Sequence, residues 1–266
     1  MAIQFLLVDA LNLIRRVYAA QPGEDGPERA AGALVSCTHS LQRALRECRP
    51  THAVCVFEGE GQSWRYRAYP GYKAGRTPMP AALHEQLPSF REAFLGQGVS
   101  SVSLPGLEAD DVIATLACKA ASRQGQVIIL STDKAFLQLL SERIGVRDHF
   151  GQRDLDPAYV RQRFGVSPER LTDLLALCGD PTNHIKGVPG VGIKTAARLL
   201  AEFGSLENIL TGAGDIPGRT GESIAAHREQ VRVALSLVRL QTDLELGLNL
   251  QAFRTPGPGT PSAEPG

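Results

Sequence analysis

Short, nearly unbroken apolar runs recur in the first half of the chain: IQFLLV at 3–8, THAVCVF at 51–57 and QVIILST at 126–132. Runs of this length, rich in Val and Ile, suit strands buried on both faces of a parallel sheet. VSSVSL at 99–104 is a weaker strand of the same kind. Between them, apolar positions recur at helical spacing in RAAGALVSCTHSLQRALREC (29–48), AALHEQLPSFREAFLGQ (81–97) and EADDVIATLACKAASRQ (108–124). Strands alternating with helices predict an α/β domain over residues 1–150.

From Pro157 onward the spacing is helical throughout, in DPAYVRQRFG, SPERLTDLLALCG, IKTAARLLAEFG and GESIAAHREQVRVALSLVRL. This predicts a helical domain over 151–250, with QTDLELGLNL (241–250) returning to the main body as an extended segment. The closing TPGPGTPSAEPG (255–266) has Pro or Gly at seven of twelve positions, which predicts a disordered tail. No internal repeat is visible.

Composition narrows the class. The chain has 266 residues, 43% hydrophobic and 21% charged, as a soluble globular protein of one large or two modest domains does. Its 28 basic and 28 acidic residues cancel, so any surface for a polyanion must be local. Cys37, Cys48, Cys55, Cys118 and Cys178 form no CxxC pair and lie mostly in apolar runs, which points to buried free thiols in a reducing compartment and not to zinc. The N-terminus lacks a basic segment and meets Asp9 early, unlike a signal peptide. No apolar run approaches the ~18 residues of a membrane span. A cytoplasmic protein is expected.

The acids change the picture more. Asp9 ends the first strand, Glu58 ends the second, and Asp133 follows QVIILST. Glu108, Asp110 and Asp111 open the helix of GLEADDVIATLA (106–117). In a parallel α/β sheet the carboxyl ends of the strands share one edge, where ligands bind. Six acids are therefore expected around one crevice. Singly, each has a plainer use: acids in a helix's first turn favour its dipole, and Asp133 can cap KAFLQLLSE. Together, like charges ~4 Å apart repel by roughly 4 kcal/mol at an effective dielectric near 20. A divalent cation removes that conflict, and carboxylates alone select a hard ion, Mg²⁺ or Mn²⁺. Such ions at a sheet edge point to phosphate chemistry.

Two further segments face a substrate in this reading. SWRYRAYPGYKAGR (63–76) contains Arg65, Arg67, Lys73 and Arg76 with no acid, interleaved with Trp64, Tyr66, Tyr69 and Tyr72. Cations for phosphates and flat rings for bases suit a single-stranded nucleic acid, although a solvated loop with its rings packed inward has the same composition. GVPGVGIKTAARLL (187–200) places Gly190 and Gly192 at a tight turn into a helix, where backbone N–H groups hold a phosphate. Lys194 adds charge and Thr195 a hydroxyl. No strand precedes it, so Gly190, Val191, Gly192, Ile193, Lys194 and Thr195 read as a helix–hairpin–helix that grips a duplex backbone.

FLLVDALNLIRR, AVCVFEG, YPGYKAGRTPMP, GLEADDVIATLA, ILSTDKAFLQLL and GVPGVGIKTAARLL occur in that order over roughly residues 3–245. Through them the chain resembles the 5′-nuclease superfamily of 5′-3′ exonucleases and flap endonucleases, and most of all the stand-alone Xni type (exonuclease IX). The resemblance implies a PIN-like α/β nuclease domain, a helical arch over its active site, and a helix–three-turn–helix module that binds duplex and K⁺. It implies Mg²⁺ ligands at Asp110, Asp9, Glu58, Glu108, Asp111 and Asp133. Lys73 and Arg76 become the arch cations that meet the scissile phosphate. K⁺ is held mainly by backbone carbonyls, with Leu177, Cys178, Lys186, Val188 and Val191 in the corresponding places.

The chain departs from the family pattern at three points. Glu58 stands where the family usually has Asp. Ala135 and Asn183 stand where two acids of the second metal position belong, beside Asp133 and Asp180. The implied activity is Mg²⁺-dependent, structure-selective cleavage of 5′-flap or otherwise branched DNA by a monomer, with one tight ion and a weakened second site. Two other readings stay open: a flap-binding protein without useful nuclease activity, and a PIN-type ribonuclease.

Overall fold

In the computed structural model, residues 2–256 are described. The first apolar run forms β1 (Gln4–Asp9), which passes straight into α1 (Ala10–Ala20) because the Asp9 side chain caps it, accepting the Asn12 N–H at 3.2 Å. α2 (Pro27–Cys48) carries the chain back to β2 (His52–Val56). Three short helices, α3 (Trp64–Ala68), α4 (Ala81–Glu85) and α5 (Leu87–Leu95), lead to β3 (Ser100–Val102). α6 (Ala109–Ser122) and β4 (Gln126–Leu130) complete the expected set. Two strands escaped the sequence reading, β5 (Ile144–Asp148) and β6 (Arg153–Leu155), because their five- and three-residue runs mix charge with apolar positions.

The sheet runs in the order β3-β2-β1-β4-β5-β6, parallel except for β6. Chain order therefore reverses between β1 and β4, the switch point at which α/β sheets open a crevice. Successive residues of β1 serve opposite faces. Leu6 and Val8 enter one core with α1, α2 and α5, whereas Phe5 and Leu7 enter the other with α6 and the helices that follow. Cys37 and Cys55 lie fully inside the first core, all five thiols are free, and burial pushes the Cys37 thiol up to about 12.

The second half builds α7 (Pro157–Phe164), α8 (Leu171–Cys178), a two-residue pair β7 (Gly179–Asp180) and β8 (Ile185–Lys186), then α9 (Ile193–Phe203) and α10 (Leu206–Thr211). The last long apolar pattern divides into α11 (Arg219–Ala226) and α12 (Arg228–Val238). Residues 241–245 then lie along α6: Thr115 Oγ donates to the Gln241 carbonyl at 3.1 Å and Lys119 Nζ to the Leu244 carbonyl at 2.6 Å.

The expected disordered tail needs correction at its start. Thr255 donates to the Pro50 and Thr51 carbonyls, and Phe253 stacks on Phe5. The rest of that prediction, 257–266, lies outside the described residues. Among the described residues no helix is long and apolar enough to cross a membrane.

Candidate active site

A cleft of about 640 Å³ opens at the switch point, lined by Asp9, Glu58, Asp110 and Asp133 and by Lys73, Arg76, Arg15 and Arg16. Local structure sets each acid. Asp9 sits where β1 becomes α1, and its other oxygen accepts from Ser131 Oγ at 2.8 Å. Ser131 Oγ in turn accepts the Asp133 N–H at 3.1 Å, tying the ends of β1 and β4 together. Asp133 caps a 3₁₀ turn over Lys134–Leu139 through the Ala135 N–H at 2.8 Å. Asp110 lies in the first turn of α6. Glu58 arrives by a backbone crossing: Gly59 N–H donates to the Leu107 carbonyl at 3.2 Å, and any side chain on Gly59 would collide with the Leu104 carbonyl. From there Glu58 accepts the Ala109 N–H at 3.3 Å.

These carboxylates carry the conflict expected of like charges. Burial, reinforced by Asp133 and Glu58, raises the Asp9 carboxyl to about 7. Burial and the charges of Asp133, Asp9 and Glu58 hold Asp110 well above its ordinary range. Glu58 is raised by burial and by Glu108, against the pull of Lys73. An added cation would relieve all three. Among the described residues, no three His, Cys, Asp or Glu side chains form a ready-made metal cage; the acids surround one cleft and stand apart within it.

Glu108 and Asp111 differ from their expected place. Asp111 is fully buried and is gripped by the Arg65 guanidinium at 2.7 and 2.8 Å, with Trp64 Nε1 at 3.2 Å and the Gln241 N–H at 2.9 Å. Glu108, 1% exposed, accepts from Ser63 Oγ, Tyr72 Oη, Lys73 Nζ and Arg65 Nη1. Burial alone would raise the Glu108 carboxyl, but Lys73 and Arg65 hold it down at about 2. Three acids crowded into four positions at a helix start thus split by helical geometry: Asp110 faces the cleft, and Glu108 and Asp111 face a buried arginine.

The basic segment is corrected in the same way. Arg65 is 2% exposed and uses all five N–H donors internally, two of them on the carbonyls of Leu237 and Arg239 at the end of α12. Trp64 and Tyr72 turn inward with it, while Tyr66 remains 38% exposed at the cleft. The expected helical arch takes the form of the five-residue helices α3 and α4 joined by turns. Lys73 is nearly buried, in a left-handed conformation with φ 51°, its N–H on the Asn183 carbonyl at 2.9 Å. Its Nζ lies 2.7 Å from Glu108 Oε2. Burial would lower the Lys73 ammonium, but Asp110, Tyr72 and Glu108 outweigh it and raise it.

Arg15 and Arg16 were missed from the sequence. Arg15 donates to the Thr77 carbonyl at 2.7 Å, and Arg16 to Thr132 Oγ at 3.0 Å while stacking on Phe150. No carboxylate pairs with Arg15, Arg16 or Arg76 among the described residues. The available signal was spacing: Asn12, Arg15 and Arg16 are three and four apart and share one helix face just after Asp9.

Away from the cleft, Gly190 at φ +81° and Gly192 as N-cap lead into α9, with Ile193 and Lys194 exposed, Thr195 half-buried and Val191 inside. Behind this turn two backbone segments touch: a Cβ on Gly187 would strike Gly179 N and the Leu177 carbonyl. That crossing gathers Leu177, Cys178, Lys186, Val188 and Val191. The Leu177 carbonyl accepts from Val188 N–H at 2.7 Å and the Val188 carbonyl from Val191 N–H at 3.0 Å.

Comparison with known proteins agrees with this architecture. Residues 4–165 match the description "5′-3′ exonuclease, N-terminal resolvase-like domain", and residues 166–260 match "5′-3′ exonuclease, C-terminal SAM fold". A protein named flap endonuclease Xni from Pectobacterium carotovorum is 43% identical over 267 residues, covering 100% of both chains. Another of that name from Edwardsiella ictaluri is 44% identical over 259 residues, covering 97% of this chain and 99% of its own. Among solved structures, a bacteriophage T5 flap endonuclease in complex with DNA and metal ions superposes with TM-score 0.74 at 24% identity, covering 90% of this chain and 89% of that one. The catalytic core of Rad2 with DNA superposes at 0.59 and 16%, covering 98% and 84%. At such identities these two speak for the fold alone.

Proposed function

Because the chain belongs to the 5′-3′ exonuclease family, we propose that it is a structure-selective flap endonuclease that hydrolyses DNA phosphodiesters at 5′ flaps. The observation that carries this reading is the switch-point cleft, in which four carboxylates without an ion-pair contact among the described residues face four cations. Relatives named flap endonuclease Xni, alike over their whole length, support the activity.

The donor set fits a hard divalent ion such as Mg²⁺: Asp9, Asp110, Glu58 and Asp133 are all carboxylates, and their charges conflict without one. When bound, such an ion supplies Lewis acidity toward the phosphate and a water that ionises near neutral pH. The chain's own residues do the rest. Lys73, held by Glu108, together with Arg76, Arg15 and Arg16 takes the negative charge of the phosphates. Exposed Tyr66 offers a ring on which a base stacks. Residues 1–150 carry this chemistry.

Residues 151–250 hold the duplex, with the N–H groups at Gly190–Thr195 and the Lys194 ammonium on its phosphates. The tight crossing at Gly187 lets the carbonyls of Leu177, Cys178, Lys186, Val188 and Val191 approach a K⁺ ion. A monomer acting on branched DNA in the cytoplasm completes the reading.

The test is cleavage of a labelled 5′-flap DNA by the chain and by Asp110→Asn, with and without Mg²⁺. Parental cleavage only with Mg²⁺, lost in the variant while flap binding is kept or tightened, is the expected result. Near-parental cleavage by Asp110→Asn would sink the ligand assignment. Parental binding without cleavage would make the chain a flap-binding protein, and preference for a matched RNA flap a ribonuclease.

A further inference from the structure

The cleft has a second cation position in prospect, beside Asp133, and the residues there do not fit a second divalent ion. Ala135 brings no oxygen to it. Asp180, 4% exposed, is already satisfied: Oδ1 accepts from Lys134 Nζ at 2.5 Å and from the Thr182 N–H at 3.1 Å, and Oδ2 accepts from Asn183 Nδ2 at 2.8 Å. Asn183 thus presents its N–H to Asp180, one of the two acids that remain. A carboxylate paired with an ammonium and two N–H donors has no charge left to offer a metal.

We propose that Lys134 itself is the second cation of the cleft, a phosphate-binding ammonium built into the chain where a second ion would otherwise sit. The proposal rests on the flap-nuclease reading. Lys134 follows Asp133 directly, and its Nζ also donates to Thr182 Oγ at 3.1 Å. Asp133 and Thr182 both line the cleft, so the ammonium stands at its rim. An ammonium has three N–H donors. Asp180 and Thr182 take two, and the third is free on a side chain that remains 27% exposed. Asp180 does for this lysine what a metal cage does for an ion: it fixes the position and prevents the flexible stem from swinging into solvent. The 3₁₀ turn capped by Asp133 fixes the other end of the stem. A cation attached in this way is present at any Mg²⁺ concentration.

The experiment measures flap binding by the full chain in EDTA, from about 50 to 200 mM salt, where each phosphate contact contributes about one unit to the salt slope. Lys134→Met should lower the magnitude of the slope by about one unit, and Lys134→Arg should keep it. Lys134→Met combined with Asp180→Asn, which leaves no orphaned acid to disturb the fold, should behave as Lys134→Met does. With saturating Mg²⁺, Lys134→Met should cut the flap at least about tenfold more slowly with an unchanged Mg²⁺ midpoint, as expected for one lost group that stabilises developing charge. An unchanged slope in both Met variants would overturn the proposal, as would a second Mg²⁺ binding event of similar affinity in a calorimetric titration of the parent chain. The EDTA slope decides the lysine even if the parent does not cleave, so failure of the nuclease reading is told apart from failure of this one.

Discussion

Replacing Arg65 by methionine removes five N–H donors from the interior while keeping most of the stem's volume. The partners left behind fare differently. Glu108 keeps Ser63, Tyr72 and Lys73, so its loss is small. Asp111 keeps only Trp64 Nε1 and the Gln241 N–H, and loses a bidentate partner while fully buried. The Leu237 and Arg239 carbonyls lose their donor as well. Breaking a buried ion pair from one side costs roughly 3–5 kcal/mol. The two donors left to Asp111 and the preserved volume place Arg65→Met near the lower end, about 3 kcal/mol. Against a total stability of about 5–15 kcal/mol the protein stays folded, and its Tm should fall by roughly 6–12 °C. Urea unfolding followed by circular dichroism measures this, with the slope against denaturant unchanged. Adding Asp111→Asn should recover part of the loss, since the orphaned charge disappears. A loss below about 1 kcal/mol at unchanged slope, or no recovery in the double variant, would show that Arg65 does not bind the acid loop to the end of α12.

His149 makes stability depend on pH. Burial, aided by Arg16 and Arg43 against Asp148, lowers its imidazole from 6.5 to about 4, so the unfolded chain takes up a proton in that interval and the folded chain does not. Stability should therefore be full above 6.5 and fall by on the order of 3 kcal/mol as pH drops toward 4; His149→Phe should flatten that part of a urea-midpoint profile, and an equal fall in both proteins would refute it. Gly187→Ala should open the crossing under the hairpin, because the added methyl meets Gly179 N and the Leu177 carbonyl. Weaker duplex binding with unchanged stability of the sheet, read by hydrogen exchange, is the expected result, and parental binding would contradict it. Lys194→Ala, at an exposed position on the first turn of α9, should weaken duplex binding equally across sequences and lower the salt slope by about one unit.

The parallel sheet was legible because β1, β2 and β4 are buried on both faces and therefore carry unbroken apolar runs. Strands at or beside the open edge give no such signal. β5 alternates buried with half-buried positions and β6 buries only Leu155, so their sequences read as loops. The division between α11 and α12 was hidden for a related reason. Apolar spacing runs through both, and the break falls at His227, whose ring nitrogen takes up the Ser223 carbonyl. Periodicity reports which face is buried and says little about where a helix stops.

Charge was harder to place than hydrophobicity, and the cleft shows why. Asp110 and Asp111 are neighbours in sequence, yet α6 turns them by about 100°, so one faces the cleft and the other Arg65. Sequence order brings a residue to an edge; which side of its helix meets a counter-charge depends on elements 46 to 130 residues away, here Arg65 and Trp64 on one side and Gln241 on the other. Arg65 and Lys73 look alike in the string SWRYRAYPGYKAGR, but the first is spent on internal carbonyls and carboxylates. The second sits at the boundary, its nitrogen on Glu108 and its charge felt by Asp110. Lys134 differs from both. It stands beside a missing acid, at Ala135, and its partner Asp180 comes from the helical half of the chain. Where an expected carboxylate is absent and the adjacent lysine pairs with Asp180, that acid's charge is balanced without any ion. In the proposed reading, loss of charge from the second ion position and gain of a fixed ammonium are one event, of which Ala135 and Asn183 alone give only half.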